Sequence, residues 1–153
     1  SVYNILKVHS RDNSRTPMQW DATAQGGFTT GEPWISVNPN TATINAQAQV
    51  EDKDSIFAHY QALIRLRHTY DVFAQGDFTP LTPDHPAVLA YQRKYQSQEL
   101  ICVSNFYRKE CVWKAPVALD GYRVLLSNYS DSVPQGEWQL RPYESVLLLK
   151  ETR

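Results

Sequence analysis

Hydrophobic and polar positions give the chain three rhythms. In residues 2–8 the apolar side chains Val2, Tyr3, Ile5, Leu6 and Val8 fall near helical spacing, too few to separate helix from strand. Residues 10–50 show little period: Gly, Pro, Asn and Thr predominate over about forty residues, and connections beyond ~15 residues are normally functional or disordered. Trp20, Phe28 and Trp34 argue against disorder, since disordered stretches are poor in aromatics, and predict an ordered loop lining a site. Then Ile56, Tyr60, Leu63, Ile64 and Arg67 recur at helical spacing, with Phe57 and Leu66 widening the apolar face. This predicts a helix over about 55–69, capped by Asp52 or Asp54, with Arg65, Arg67 and His68 in its last turns where cations suit the helix dipole.

From about Asp77 the rhythm changes to short alternating or wholly apolar runs. Strands are predicted at 78–81, 87–93, 99–104, 110–113, 122–127 and 144–150, with a weaker one near 138–140. Pro83-Asp84-His85-Pro86, Tyr95-Gln96-Ser97-Gln98, Asp120-Gly121 and Pro134-Gln135-Gly136 are the turns between them. Short strands at hairpin spacing predict an antiparallel β-sandwich with Greek-key connections. About seventy-five residues is small for an independent core, so docking onto the 55–69 helix is expected to complete it. No repeat, low-complexity tract or charge block interrupts the pattern.

Composition narrows the function. A formal net charge of -1 with charged residues at 20% provides no basic field for nucleic acid. No apolar run reaches the ~20 residues of a membrane helix, and no signal-peptide layout opens the chain. The expected location is cytoplasmic. Ser1 in place of an initiating Met fits a segment cut or processed from something longer. Cys102 and Cys111 fall in neighbouring strand-like runs and either face each other across a hairpin or stay as small buried hydrophobes. The four histidines and two cysteines lack metal-ligand spacing, so no metal and no cofactor is expected.

The candidate chemistry lies in Ser10–Asp21. Arg11 and Arg15 lie four apart around Asp12 and Asn13, and Pro17 biases Thr16 toward an extended conformation, so Arg15 belongs on a loop. Guanidiniums beside a carboxylate and the Trp20 indole suit recognition of a hydroxyl-rich or anionic ligand. The plainer alternative is an Arg11–Asp12 surface ion pair with Met18 and Trp20 in a core. The sixteen acids lie on the long loop, at the helix cap, in turns or at strand ends. Gly26-Gly27 opens a turn and no strand-to-helix phosphate cradle, and no Ser or Cys sits in a nucleophile-elbow context. Trp113, Trp138 and Tyr143 suit a core or a sugar-stacking surface, and the core is expected.

The runs Arg11–Asp21 and Gly27-Phe28-Thr29-Thr30-Gly31-Glu32-Pro33-Trp34-Ile35-Ser36-Val37-Asn38-Pro39-Asn40 resemble the α-glucosidase branch of the α-amylase superfamily. Ile44-Asn45-Ala46, Asp54-Ser55-Ile56-Phe57 and Leu63-Ile64-Arg65-Leu66-Arg67 follow in that family's order, as do Leu125–Tyr129 and Leu140–Ser145. The ending is most similar to the trehalose-6-phosphate-hydrolysing group, with the oligo-1,6-glucosidase group next.

The resemblance implies that residues 1–74 are the last piece of a (β/α)8 barrel, with site loop 10–50 and last helix about 55–69, and that residues 75–153 are the β-sandwich that follows. A whole barrel takes ~250 residues. None of the acids present lies in a motif like the family's catalytic carboxylates, which end earlier barrel strands, so no catalytic residue is expected. The Asn13-Ser14-Arg15-Thr16-Pro17 match implies that Arg15 holds sugar at the bond-cleaving subsite. Arg11 is a weaker substrate contact, and Asp12, Gln19 and Trp20 support or pack the loop. The implied partners are an α-glucoside in the intact enzyme and a missing N-terminal barrel, with no nucleic acid and no membrane. A piece exposing such apolar surface favours dimerisation or segment swapping. A non-catalytic carbohydrate-binding or structural β module is the alternative.

Overall fold

The computed structural model describes residues 9–152; the expectation for residues 2–8 lies outside them. Two compact units, Ser1–Tyr60 and Gln61–Arg153, divide within a helix.

The first unit contains no strand among its described residues. It is built from 3-10 turns at Arg11–Ser14, Ala24–Gly27 and Pro39–Ala42, helix α1 (Ala46–Glu51) and the start of helix α2 (Ile56–Thr69). Short polar side chains start most of these elements. The Asp12 amide donates to Ser10 Oγ at 3.3 Å, the Asn40 amide to Asn38 Oδ1 at 3.1 Å and the Ala48 amide to Asn45 Oδ1 at 2.9 Å. Pro39 occupies the first turn of its element, where a missing N–H costs nothing. Helix α1 was not anticipated inside the long loop. Its signal was present in Asn45 followed by Ala-Gln-Ala-Gln, a capping residue before good helix formers.

Helix α2 matches the predicted span but is capped differently. The Ala58 amide donates to Ser55 Oγ at 3.1 Å, so Ser55 fills the role expected of Asp52 or Asp54. Asp52 instead accepts the Asp54 amide at 2.9 Å, which closes a turn one step earlier.

The second unit is a sandwich. A five-stranded antiparallel sheet runs β1-β2-β3-β7-β5, from β1 (Thr79–Pro80), β2 (Val88–Tyr95), β3 (Gln98–Asn105), β7 (Ser145–Glu151) and β5 (Arg123–Ser127). A two-stranded sheet pairs β4 (Cys111–Lys114) with β6 (Glu137–Leu140). From β3 onward the chain alternates between sheets and β7 returns between β3 and β5, the crossing connectivity expected of a Greek key.

Val88, Ala90, Ile101, Val103, Val146 and Leu148 of the large sheet bury against Trp113, Trp138 and Leu140 of the small one. The opposite face of the large sheet packs Leu100 and Leu149 on Val72 of helix α3 (Val72–Gln75), a second helix absent from the expectation. These two cores explain the run Val146-Leu147-Leu148-Leu149, because a central strand covered on both faces has no polar side to alternate with. In β5 a register shift between Val124 and Leu126 accommodates three successive apolar residues. Pro80 is tolerated because β1 is an edge strand.

Two polar joints close the sandwich. Arg93 donates from Nε to the Asp77 carbonyl at 3.0 Å and from its guanidinium to the Phe73 and Gly76 carbonyls, tying the end of α3 to β2. A methyl group at Gly76 would meet the Val72 carbonyl oxygen at 2.5 Å, so no larger residue fits that joint. At the edge of the core, buried Gln92 donates to Tyr122 Oη at 2.9 Å and to Glu99 Oε2 at 3.0 Å. Burial and the Glu99 carboxylate push the Tyr122 phenol up to about 12.

The structure corrects one expectation about this unit and decides between two alternatives left open for another. Tyr143 is exposed and stands outside the core that Trp113 and Trp138 share. Cys102 and Cys111 are free and lie in different sheets, so they do not face each other across a hairpin.

Candidate functional site

The candidate residues lie in two constellations, one in each unit. The first is the loop bearing Arg15. Arg11, Asp12 and Arg15 sit on or beside the 3-10 turn with exposed side chains. The turn is closed by backbone, with the Arg15 amide donating to the Asp12 carbonyl at 3.0 Å and Ser14 Oγ to the Arg11 carbonyl at 2.9 Å. Among the described residues no ion pair joins Asp12 to either arginine, so all three charges face solvent.

The loop is then anchored through Pro17, which is buried, and through Gln19 and Trp20. Gln19 Nε2 donates to Asn40 Oδ1 at 2.9 Å and to the Ile44 carbonyl. The Gln19 and Trp20 carbonyls accept the Ala46 and Gln47 amides at 2.8 and 2.9 Å. Those amides belong to the first turn of α1, which has no intrahelical partner for them. The Trp20 amide donates to the Gly26 carbonyl at 2.8 Å, while its indole stays half exposed. Sequence reading singled out Gln19 and Trp20 but missed Asn40, which receives the Gln19 side chain, and Asn45, which caps the helix whose first amides the loop accepts.

The Asp21 carboxylate accepts from the Thr23 amide at 2.8 Å and from the Thr23 hydroxyl. These bonds hold its carboxyl below the ordinary range. Gly27, at φ 67°, lies against it: a Cβ there would meet Asp21 Oδ2 at 2.6 Å. Gly26, at φ 62°, would meet Thr41 Oγ1 at 3.0 Å. The turn therefore requires glycine at both positions.

The second constellation explains the Leu140–Ser145 motif. Glu144 is fully buried and accepts from Arg141 Nε at 3.1 Å, Arg141 Nη2 at 2.9 Å, the Arg141 amide at 2.9 Å and Ser132 Oγ at 2.6 Å. Burial pushes the Glu144 carboxyl up, but the bonds from Arg141 and Ser132 overrule it and hold the group below its ordinary 4.5. The Arg141 guanidinium also pairs with Asp131 at 2.6 Å and lies 3.9 Å above the Tyr129 ring. Buried Asn105 completes the joint, donating to the Arg141 and Lys109 carbonyls. The motif is a structural clasp: every Glu144 bond is internal, leaving no geometry for a proton donor to a substrate.

Among the described residues no group of three His, Cys, Asp or Glu side chains could hold a metal ion. No helix among them is long and apolar enough to cross a membrane.

Known proteins supply the context. Residues 1–76 match the family model of the α-amylase catalytic domain, and residues 78–147 match that of the maltogenic amylase C-terminal domain. The chain is 45% identical over 149 residues to trehalose-6-phosphate hydrolase of Bacillus subtilis, covering 94% of this chain and 26% of the relative. It is 38% identical over 149 residues to oligo-1,6-glucosidase of Bacillus cereus, covering 95% and 27%. The crystal structure of Bacillus licheniformis trehalose-6-phosphate hydrolase superposes with a TM-score of 0.92 at 38% identity over 97% of this chain and 28% of that one. Trehalulose synthase of Pseudomonas mesoacidophila MX-45 superposes with a TM-score of 0.83 at 34% identity over 92% and 26%. The chain thus spans about a quarter of the length of the relatives it matches. Catalytic-domain sequence followed by a two-sheet C-terminal domain, matched along nearly the whole chain, makes this protein a member of the α-amylase superfamily, glycoside hydrolase family 13.

Proposed function

We propose that these residues are the C-terminal part of a retaining α-glucoside hydrolase. Its substrate is trehalose 6-phosphate, cleaved to glucose and glucose 6-phosphate. Residues 1–74 end the catalytic barrel and residues 75–153 form the domain that follows. The observation that carries the reading is the Arg15 loop: a cationic side chain without an ion-pair partner among the described residues, on a turn anchored on its C-terminal side by Pro17, Gln19 and Trp20, in sequence that matches a glycosidase catalytic domain. Arg15 holds the sugar at the bond-cleaving subsite, Arg11 flanks it, and Asp12, Gln19 and Trp20 fix the loop. The two carboxylates of the retaining reaction come from earlier barrel strands. The chain alone is therefore catalytically silent and works in the cytoplasm only as part of the intact enzyme.

Two measurements test this. The purified chain should turn over no p-nitrophenyl α-glucoside; turnover that follows the chain through purification and disappears in Arg15→Ala overturns the reading. In the intact enzyme, Arg15→Ala should lower kcat/KM for trehalose 6-phosphate by about a hundredfold or more, the loss typical of removing one charge-stabilising donor.

A second reading takes isomalto-oligosaccharides as substrates, and the 38% identity to the Bacillus cereus oligo-1,6-glucosidase favours it. Comparing kcat/KM for trehalose 6-phosphate and isomaltotriose in the intact enzyme separates the two.

A further inference from the structure

The stretch after Arg15 is fastened through Gln19 to the segment leading into α1. A glutamine amide has two N–H groups, and Gln19 uses both: it donates to Asn40 Oδ1 at 2.9 Å and to the Ile44 carbonyl. The receiving side is itself held. The Asn40 amide donates to Asn38 Oδ1 at 3.1 Å. The Asn40 carbonyl accepts the Thr43 and Ile44 amides, each at 2.9 Å, and Thr43 Oγ1 at 3.1 Å. With its backbone fixed this way, Asn40 presents its side-chain oxygen at a set place. Asn45 differs, because its amide is used within its own segment, on the Ala48 amide and the Thr41 carbonyl.

Only Thr16, Pro17 and Met18 separate Gln19 from Arg15. Pro17 is buried, its ring fixes its own φ, and it biases Thr16 toward an extended backbone. A link this short and stiff passes a shift at Gln19 on to Arg15. The bond from the Arg15 amide to the Asp12 carbonyl shapes the turn locally and does not place it.

We propose that Asn40 is a positioning residue: through Gln19 it sets where the Arg15 guanidinium meets the sugar. The inference rests on the functional reading above, in which Arg15 holds the sugar at the bond-cleaving subsite. A displacement of about 1 Å by a change far from the chemistry can cost about a hundredfold in rate, so a residue acting at one remove still controls turnover.

The test is a double-mutant cycle in the intact enzyme, on whichever of trehalose 6-phosphate and isomaltotriose it cleaves faster. Asn40→Ala removes the acceptor and keeps every backbone bond of the turn. It should lower kcat by about tenfold with KM nearly unchanged and the melting temperature unmoved. Asn40→Asp keeps an oxygen facing Gln19 and should recover most of that loss. With Arg15→Ala already in place, Asn40→Ala should remove no further activity, because the two residues act as a unit. An unmoved kcat in Asn40→Ala, equal losses in Asn40→Ala and Asn40→Asp, or the same loss with and without Arg15 overturns the positioning proposal. A deep loss in Arg15→Ala alone leaves the functional reading standing in those cases. Undiminished kcat/KM in Arg15→Ala overturns the functional reading, and the role of Asn40 falls with it.

Discussion

The two units hold their shape by different means. In Gln61–Arg153 large hydrophobic residues from both sheets disappear into one core, and a second cluster seals the other face of the large sheet. In Ser1–Tyr60 the described chain is shaped by caps, glycine turns and side-chain-to-backbone bonds, while none of its described large hydrophobic residues is buried. Hydrogen bonds exchanged with water contribute only about 1 kcal/mol each, whereas a buried large side chain contributes roughly 1.5–3 kcal/mol. The sandwich therefore carries its own stability, and the described residues of the first unit hold a shape without a buried apolar core. A segment can be specified in conformation and still depend on something else to persist.

The sharpest way to break this comparison is in the sandwich core. Trp113→Ala should destabilise the second unit by about 3–5 kcal/mol in urea unfolding, the range for emptying a buried aromatic site. The cost is that of a cavity alone, since the Trp113 indole N–H has no partner among the described residues. Glu144→Ala should cost about 3 kcal/mol, the low end for breaking a buried pair, because Arg141 keeps Asp131 and remains partly exposed.

Acid sharpens the same point. The folded Glu144 carboxyl lies below its ordinary 4.5, so its contribution is complete above that pH and drains away as pH falls through the folded value. Thermal melting of the sandwich should drop on acidification below pH 4.5, and Glu144→Gln should flatten that slope.

Smaller effects are expected in the first unit. Asn45→Ala should cost about 1 kcal/mol, read as faster amide exchange in α1 with sandwich exchange unchanged. Trp34→Ala should alter the stability of the isolated chain by no more than about 0.5 kcal/mol, despite removing the largest type of side chain. A loss of several kcal/mol there would mean that the first unit possesses a core after all.

The legibility of the chain follows the same division. All seven strands were readable because alternation and turn residues are local signals, and observed limits differ from expectation by a residue or two. Helix α2 was readable from its apolar stripe, yet its cap moved to Ser55 because three nearby residues could each supply an oxygen. Helices α1 and α3, of six and four residues, were not foreseen. Such short helices show too few turns for a period and form only where surrounding contacts hold them. Tyr143 was expected in the core beside two tryptophans, but its backbone at φ 56° and the clasp at Glu144 leave the ring outside.

By itself the sequence determined the order of elements, the strand-forming half, the loop character of Ser10–Asp21 and the family to which these motifs belong. Each of these is written in residues close together along the chain. Only the tertiary structure decided that Glu144 is buried on Arg141, that Cys102 and Cys111 lie in different sheets, and that Gln19 locks onto Asn40. It alone also revealed that Trp20, Trp34 and Ile56 of the first unit are more than half exposed. Whether an apolar side chain is buried depends on what the rest of the fold brings against it, and local pattern carries no record of that.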